Sequence, residues 1–150
     1  MTPNVLLAVT FAPPKMRPRA PPPQRKGCLE GHKRLCPKDP PEISAVPIAP
    51  RGAVGGALSP NGLAFAEDGS SLLNLALLDK VLNVDVEKRT VTVEAGCRVE
   101  QVLEALEPHN LTLENLASIA AQQVGGFVGA GAHGTGACLP PVDEHVLEMT

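Results

Sequence analysis

The 150-residue sequence contains no Trp and no Tyr, and its three aromatic residues are Phe11, Phe65 and Phe127. Proteins that bind single-stranded nucleic acids stack the bases on aromatic side chains. A chain with so few aromatic faces does not fit that class, and we expect no nucleic-acid partner. Hydrophobic residues make up 43% of the chain, so a packed core is still expected.

Long apolar runs are also missing from the sequence. The run at residues 5–12 is too short to cross a bilayer, and positive charges follow it, whereas a secretory signal carries them before its apolar stretch. Acidic residues are absent before Glu30, which is typical of a mitochondrial presequence, but the repeated prolines would break the amphipathic helix that a presequence forms. Residues 1–50 are therefore interpreted as a disordered, proline-rich basic leader, with a targeting role as the alternative.

Composition divides the chain near residue 51. Twelve of the sixteen prolines lie in residues 1–50, and twelve of the fourteen glycines lie after Arg51. The net charge is +6 over residues 1–51 and −9 over residues 52–150. We therefore expect one folded domain in residues 51–150, which at about 100 residues can bury only a limited core.

The four cysteines do not form the framework of a secreted disulfide-rich protein, and they favour a reducing compartment. Cys28, His32 and Cys36 have a C-x3-H-x3-C spacing. Zinc sites need four ligands and usually have tighter cysteine spacings. We therefore expect no metal site.

Hydrophobic periodicity predicts strands and a helix in the second part of the chain. Residues 72–77 predict a buried strand, and residues 81–86 and 90–95 alternate around a short charged link, which is typical of a β-hairpin. Apolar residues within residues 99–106 follow the i, i+3, i+4, i+7 spacing of an amphipathic helix, which Pro108 should end. Strands and a helix together indicate an α+β or α/β fold.

Six glycines lie within residues 125–136, and residues 129–134 have the G-x-G-x-x-G spacing of a dinucleotide-binding loop. That motif needs a strand before it and a helix after it. Here a helical pattern precedes the glycines, and Gly136 and Pro140 prevent a long helix afterwards. We therefore reject a Rossmann site. A glycine-dense, apolar stretch instead allows a close approach of the backbone to a ligand or to another element.

A second glycine-rich segment lies about 70 residues upstream. Consecutive backbone N–H groups in a tight glycine loop form a concave anion site. The candidate residues for such a site are Gly55, Gly56, Ala57, Leu58 and Ser59, the last adding a hydroxyl group. An ordinary surface loop is the alternative. Two such segments suit a large, flat, dianionic cofactor, which needs one backbone approach at its pyrophosphate and one along its ring.

Four blocks of the second part carry a resemblance to a known family: residues 58–62, 74–96, 111–118 and 122–144. In this order they resemble the FAD-binding domain of the L-galactono-1,4-lactone dehydrogenases, the plant and algal aldonolactone oxidoreductases among the vanillyl-alcohol-oxidase type flavoproteins. The resemblance implies an α+β fold. It also implies that residues 51–150 are an incomplete FAD-binding domain of PCMH type, without the substrate cap.

The resemblance implies a flavoenzyme of L-ascorbate biosynthesis. Its members oxidise L-galactono-1,4-lactone to L-ascorbate, with a hydride passing to FAD and electrons then passing to cytochrome c. A mitochondrial location and association with a mitochondrial membrane are further implications. Because the substrate-binding groups would lie in the cap, we expect this chain alone to be inactive or nearly so. Two alternatives are a non-catalytic, truncated flavin-binding or assembly module, and an oxygen-consuming enzyme of the D-arabinono-1,4-lactone oxidase type.

The resemblance also assigns residues to the cofactor. Residues 55–59 would lie on the FAD pyrophosphate. The residues that would line the flavin and its phosphates are Ala117, Ser118, Ile119, Gly125, Gly126, Gly131, His133, Gly134 and Gly136.

Three single positions carry further implications of the resemblance. Many relatives attach the flavin covalently through a His where this chain has Leu58, so FAD should be bound non-covalently. Ala117 stands where oxidase relatives have Gly, and its methyl group should restrict the access of oxygen to the flavin, which favours a dehydrogenase. The family has Gly where this chain has Ala57, whose Cβ would crowd a phosphate if the residue adopts a positive φ.

Overall fold

The computed structural model describes residues 7–10, 34–36, 38–39, 52–59 and 72–149. These residues contain strands and α-helices in the chain order β1 (Leu7–Thr10), β2 (Arg34–Leu35), β3 (Gly52–Val54), β4 (Leu72–Asn74), β5 (Val81–Asp85), β6 (Thr90–Val93), α1 (Val99–Leu106), α2 (Val124–Gly129) and β7 (Val146–Met149). The 3-10 helix Glu107–His109 follows α1, and the 3-10 helix Val142–His145 precedes β7.

Four strands form an antiparallel sheet in the order β5-β6-β1-β7. Its β5–β6 pair confirms the predicted hairpin, with Asp85 opposite Thr90 at the end next to the turn. The turn is closed by Asp85, whose Oδ1 accepts a hydrogen bond from the Lys88 N–H at 2.9 Å. This bond to Lys88 is the main cause that lowers the pKa of the Asp85 carboxyl. Arg89 completes the reversal with a left-handed φ of 54°.

Three short strands form a second, parallel sheet in the order β2-β4-β3. The strand predicted over residues 72–77 is confirmed only as far as Asn74. The Asn74 Oδ1 accepts a hydrogen bond from the Ala76 N–H at 2.9 Å, and the Leu78 N–H donates to Leu75 O at 2.9 Å. An Asn side chain that bonds the backbone two residues ahead favours a turn over a strand, so the chain leaves the sheet there.

Strands β1 and β2 both lie within residues 1–50. At these six residues the structure has paired strands, where the leader interpretation expects disorder. Most of the remaining leader lies outside the described residues, and its role as a disordered or targeting segment stays a prediction. Within the described part, no helix is long and apolar enough to span a membrane.

Helix α1 confirms the predicted amphipathic helix. Its buried side chains are Val99, Val102 and Leu106, which lie on one face as the spacing requires. The helix ends at Leu106. The chain then forms the 3-10 helix Glu107–His109, which contains Pro108, and this short helix ends at Asn110, whose φ is left-handed at 54°. The predicted end of the helix at Pro108 is therefore correct to within the last turn.

One hydrophobic core joins the helices to the four-stranded sheet. Its buried members are Val91, Val93, Cys97, Val99, Val102, Leu106, Leu113, Val124, Phe127, Val128 and Val142. Phe127, in α2, is the largest fully buried side chain of the described residues. Helices packed on an antiparallel sheet, beside a separate small parallel sheet, make this an α+β fold.

Candidate cofactor site

A cleft of about 380 Å³ lies where the end of β3 meets the first turn of α2. The residues that line it are Ala53, Val54, Gly55, Leu75, Ala95, Gln123, Gly125, Gly126 and Gly129. None of these residues is charged, and four of them are glycines. A ligand in this cleft would therefore be bound by backbone groups, by apolar contacts and by the Gln123 amide.

Helix α2 is fixed against this cleft by its first two N–H groups. Val124 N donates to Cys97 O and Gly125 N donates to Ala95 O, both at 2.8 Å. An ideal Cβ at Gly125 would lie 3.1 Å from Ala95 O, so a side chain there would press on the backbone that anchors the helix. Residues 124–129, at the start of the glycine-dense stretch, therefore form a helix. Tertiary hydrogen bonds and the burial of Phe127 outweigh the low helix propensity of glycine.

Gln123 is the polar side chain of the cleft. It forms a β-bridge with Arg98, and the preceding segment supplies acceptors to the start of α1, where Val99 N donates to Gln122 O at 3.0 Å. Gln123 is only 8% exposed, and its Oε1 has no hydrogen-bond partner. A buried acceptor without a partner costs about 1–3 kcal/mol, which a ligand that donates a hydrogen bond would recover.

The Gly55 backbone packs directly against this amide. An ideal Cβ at Gly55 would lie 2.5 Å from Gln123 Oε1, closer than real Cβ atoms come to a neighbour. The loop after Gly55 turns through Ala57, which has a positive φ of 52°. Leu58 and Ser59 are exposed beyond it. A positive φ at Ala57 was the condition under which its Cβ was expected to crowd a phosphate, and Ala57 has this conformation.

The remaining predicted residues of this part of the chain form a second group, residues 115–119 and 131–136, whose two segments meet where Gly134 packs on Asn115 and Leu116. An ideal Cβ at Gly134 would lie 2.6 Å from Leu116 O, so the two segments touch through their backbones. Ala117 packs partly buried against the core, and Ser118 and Ile119 are exposed.

His133, in this second group, is exposed, and its Nδ1 lies 2.9 Å from Gly134 O. Gly131 takes a left-handed φ of 56°, and its ideal Cβ would lie 3.4 Å from Asp143 Oδ1. Gly136 packs near Leu139, whose Cδ1 would lie 2.9 Å from an added Cβ.

The structure thus brings Gly55, Gly125 and Gly126 together in one cleft, and it places the other downstream residues in the second group. It also adds Gln123 and Asn115, which the sequence reasoning did not select. Gln123 directly precedes the glycine-rich helix, and an amide two residues before paired glycines is a signal that could have selected it. Asn115 follows the charged Glu114, and the sequence around it carries no comparable signal.

Neither a Rossmann loop nor a metal site is present among the described residues. Within residues 72–149, α2 ends at Gly129 and the 3-10 helix Val142–His145 is the next helical element, so the strand and helix that a Rossmann loop needs are absent there. The described residues hold no group of three side chains able to bind a metal. Cys28 and His32 of the weighed zinc pattern lie outside the described residues, and Cys36 is exposed.

Comparisons with known proteins show which family the sequence matches. A profile of the family described as "FAD binding domain" matches residues 44–150. Over 96 residues the chain is 59% identical to "L-galactono-1,4-lactone dehydrogenase 1, mitochondrial" of Oryza sativa subsp. japonica, covering 64% of this chain and 16% of that protein. The Arabidopsis thaliana protein "L-galactono-1,4-lactone dehydrogenase, mitochondrial" is 56% identical over 96 residues, covering 64% of this chain and 15% of that protein.

A more distant relative carries an oxidase name. The chain is 41% identical over 83 residues to "L-gulonolactone oxidase" of Mus musculus, covering 55% of this chain and 18% of that protein. The chain therefore spans less than a fifth of the length of these curated relatives.

Proposed function

The chain belongs to the FAD binding domain family, and from this premise we propose that it is the cofactor-binding part of an FAD-dependent aldonolactone dehydrogenase. The observation that carries the proposal is the cleft between Gly55 and α2, with a buried, unpartnered Gln123 oxygen in a wall of glycines. Glycines leave room for a bulky ligand to reach the backbone. The amide supplies one directional polar contact.

The residues of the cleft fit FAD. Gly126 and Gly129 have open space where a Cβ would stand, so a phosphate can approach the backbone there. The Gln123 amide can bind either the ribose or the pyrophosphate of FAD. Its oxygen can accept a hydrogen bond from a ribose hydroxyl, and with the amide reversed its NH2 can donate to a phosphate oxygen. We propose that residues 55–59 lie along the pyrophosphate, as the resemblance implies.

The second group of residues would lie along the flavin. We propose that Ser118 and Ile119, with residues 131–136, line the ring and its phosphates. This proposal is supported by the direct contact between the two segments at Gly134. His133 is exposed there with its Nδ1 close to Gly134 O, which leaves its Nε2 as the ring nitrogen to meet the cofactor.

We propose that FAD is held without a covalent bond. Leu58, 44% exposed, has no nucleophilic atom with which to attach the flavin. Acid precipitation should therefore release all of the flavin into the supernatant. Flavin that stays with the precipitated protein would contradict this part of the proposal.

The reaction proposed for the whole enzyme is the oxidation of L-galactono-1,4-lactone to L-ascorbate in the mitochondrion. FAD, when bound, would supply a hydride acceptor, and two molecules of the one-electron acceptor cytochrome c would take up the two electrons. The names of the rice and Arabidopsis relatives support the substrate and the location. Ala117, half-buried against the core, would restrict the access of oxygen with its methyl group, which favours a dehydrogenase over the oxidase named for the mouse relative.

A second candidate function is a non-catalytic flavin-binding or assembly module. It is favoured by the exposure of Leu147 (63%) and Met149 (67%) on the edge strand β7, since exposed apolar side chains on a sheet edge are typical of surfaces that pair with a partner.

The test is a titration of the purified chain with FAD, followed by quenching of flavin fluorescence and by a shift of the flavin absorption band. Saturable quenching is expected. Free-flavin fluorescence that stays unquenched at high micromolar protein would contradict FAD binding by this chain.

The FAD-loaded chain is then mixed with the lactone and cytochrome c. We expect no turnover or nearly none, because the chain spans only part of the length of its relatives. Turnover by this chain alone would rule out the module, and consumption of oxygen in place of cytochrome c reduction would indicate an oxidase.

A further inference from the structure

Asn115 is a buried amide between the two segments of the proposed flavin site. It is 3% exposed and lies in the irregular stretch after α1. Its Oδ1 accepts a hydrogen bond from the Gly134 N–H at 2.7 Å, and its Nδ2 donates to Pro140 O at 2.8 Å. One side chain thus bonds both ends of residues 134–140, a loop that contains Gly136 and directly follows His133.

The position of Asn115 couples this loop to the segment that follows it. Ala117 and Ser118 come two and three residues later in the same segment, and Ala117 packs against the core. The loop packs on the same segment at Gly134, whose ideal Cβ would lie 3.1 Å from Asn115 Oδ1. The loop is also fixed at Ala132, whose N–H donates to Phe127 O and whose O accepts from Val142 N, both at 3.0 Å.

We propose that Asn115 is a positioning residue for FAD, which holds residues 132–140 against Ala117 and Ser118 so that both segments meet the flavin together. The inference rests on the proposed function, in which these segments line the cofactor. An amide is the side chain of this size that offers one acceptor and one donor in a fixed fork. Asp in its charged form offers only acceptors, and Leu offers neither group.

The first variant is Asn115→Asp, which keeps the shape of the side chain. Above the pKa of the new carboxyl group, the charged side chain can accept from Gly134 N–H but cannot donate to Pro140 O, and its charge faces that carbonyl oxygen. Below this pKa, the protonated carboxyl donates through its O–H and restores both bonds. We expect FAD to bind at least about tenfold more weakly than to the wild type at pH 7.5; tenfold corresponds to 1.4 kcal/mol. Burial at this position raises the pKa of the new carboxyl group above its ordinary value of about 3.9, so the ratio should return toward one near pH 5.

The measurement is the dissociation constant of FAD by fluorescence quenching, given at each pH as the ratio of variant to wild type. The other ionisable side chains of this region are Glu114, its ion-pair partner His145 at 3.5 Å, and His133. They are present in both proteins, so their direct effect on FAD binding cancels in the ratio.

Asn83→Asp is the control for the added charge. Asn83 is exposed on β5, the edge strand at the opposite end of the four-stranded sheet from β7, and it is not one of the residues that line the cleft. We expect an FAD dissociation constant within about twofold of the wild-type value at every pH, because substitutions at exposed sites usually change free energies by roughly 0.5 kcal/mol or less.

Gly134→Ala keeps the proposal falsifiable if Asn115→Asp does not fold at pH 7.5. Its Cβ would push the loop away from Leu116 O and would crowd Asn115 Oδ1 at 3.1 Å, but it introduces no group that titrates. We expect weaker FAD binding at all pH values, with no recovery at low pH.

The outcomes separate the two proposals. Absence of FAD binding by the wild type overturns the proposed function and this inference with it. Wild-type binding together with an unchanged Asn115→Asp, or a loss that does not recover at low pH, overturns only the role of Asn115. Unchanged binding by Gly134→Ala overturns it as well, whereas recovery near pH 5 supports it because a merely destabilising substitution would not follow the protonation of one carboxyl group.

Discussion

The Gln123 side-chain oxygen occupies the space that a Cβ of residue 55 would need: the ideal Cβ at Gly55 lies 2.5 Å from Gln123 Oε1. These two residues belong to different segments, the loop after β3 and the residue before α2. Their contact closes one wall of the cleft, and the same oxygen has no hydrogen-bond partner. The glycine and the amide therefore act as one structural unit.

Gly55→Ala should weaken FAD binding more than it lowers stability. The atom that the new Cβ meets is the end of a flexible side chain, so Gln123 can rotate away at a cost of about 0.5 kcal/mol or less, but it then leaves its place in the cleft. FAD titration and thermal unfolding measure the two effects. In the Gln123→Ala background, Gly55→Ala should weaken FAD binding little further. If the losses of binding free energy in the two variants add fully, Gly55 and Gln123 do not act as one unit.

Ala57→Gly should tighten FAD binding and leave the stability unchanged or slightly higher. Ala57 has a left-handed φ of 52°, a conformation that costs a non-glycine residue about 1–2 kcal/mol, whereas glycine loses about 0.5–1 kcal/mol more conformational entropy on folding. The two terms nearly cancel in the free energy of unfolding, which denaturant titration measures. Ala57→Val is the opposite case and should be clearly destabilised; equal stability of the Val and Gly variants would contradict the left-handed conformation.

Gly96→Ala should be strongly destabilising. A Cβ at Gly96 would overlap Leu75 O and would lie 2.7 Å from Leu78 O, which accepts the Gly96 N–H at 2.9 Å. Because both obstacles are backbone atoms, the turn after β4 must move, and we expect the free energy of unfolding to fall by about 3 kcal/mol or more. The matched control is Gly129→Ala, which has open space around the new Cβ and should change stability by about 0.5 kcal/mol or less. Similar losses in both variants would refute the steric explanation.

Cys97 should be protected from alkylation in the folded protein. It is completely buried, and burial, with smaller contributions from Asp79 and Glu94, raises the pKa of its thiol from 9.0 to about 12. Because the thiolate is the reactive form, iodoacetamide at pH 8 should label the exposed Cys36 and Cys138 first, and Cys97 only after unfolding in urea. Peptide mass spectrometry reads out each site, and early labelling of Cys97 would contradict its burial.

The same thiol makes stability depend on alkaline pH. The unfolded chain loses the Cys97 proton near pH 9.0, whereas the folded chain keeps it until about pH 12. The folded state therefore binds more protons in this window, and its stability should fall as the pH rises through it. Cys97→Ala should remove this part of the pH dependence, and an unchanged alkaline profile in the variant would count against the raised pKa.

Local patterns predicted the local elements. The alternation around Lys88 predicted the β5–β6 hairpin, and the apolar spacing from Val99 to Leu106 predicted α1, because period and turn chemistry act within a few residues. The strand after Leu72 was predicted too long, since the Asn74 side chain turns the chain through a single hydrogen bond. Helix α2 was missed because glycine disfavours helices, and distant carbonyls anchor it.

The sequence by itself, with the family resemblance that it carries, determined which residues are proposed for the cofactor: the glycines that allow a backbone approach, Leu58, which cannot form a covalent bond, and Ala57, where the family has glycine. Only the tertiary structure decided which of them meet. Gly55 touches Gln123, and Asn115 joins Gly134 to Pro140, through contacts between residues far apart in the chain. Such contacts depend on how helices and strands pack in three dimensions, which hydrophobic periodicity within one segment does not encode.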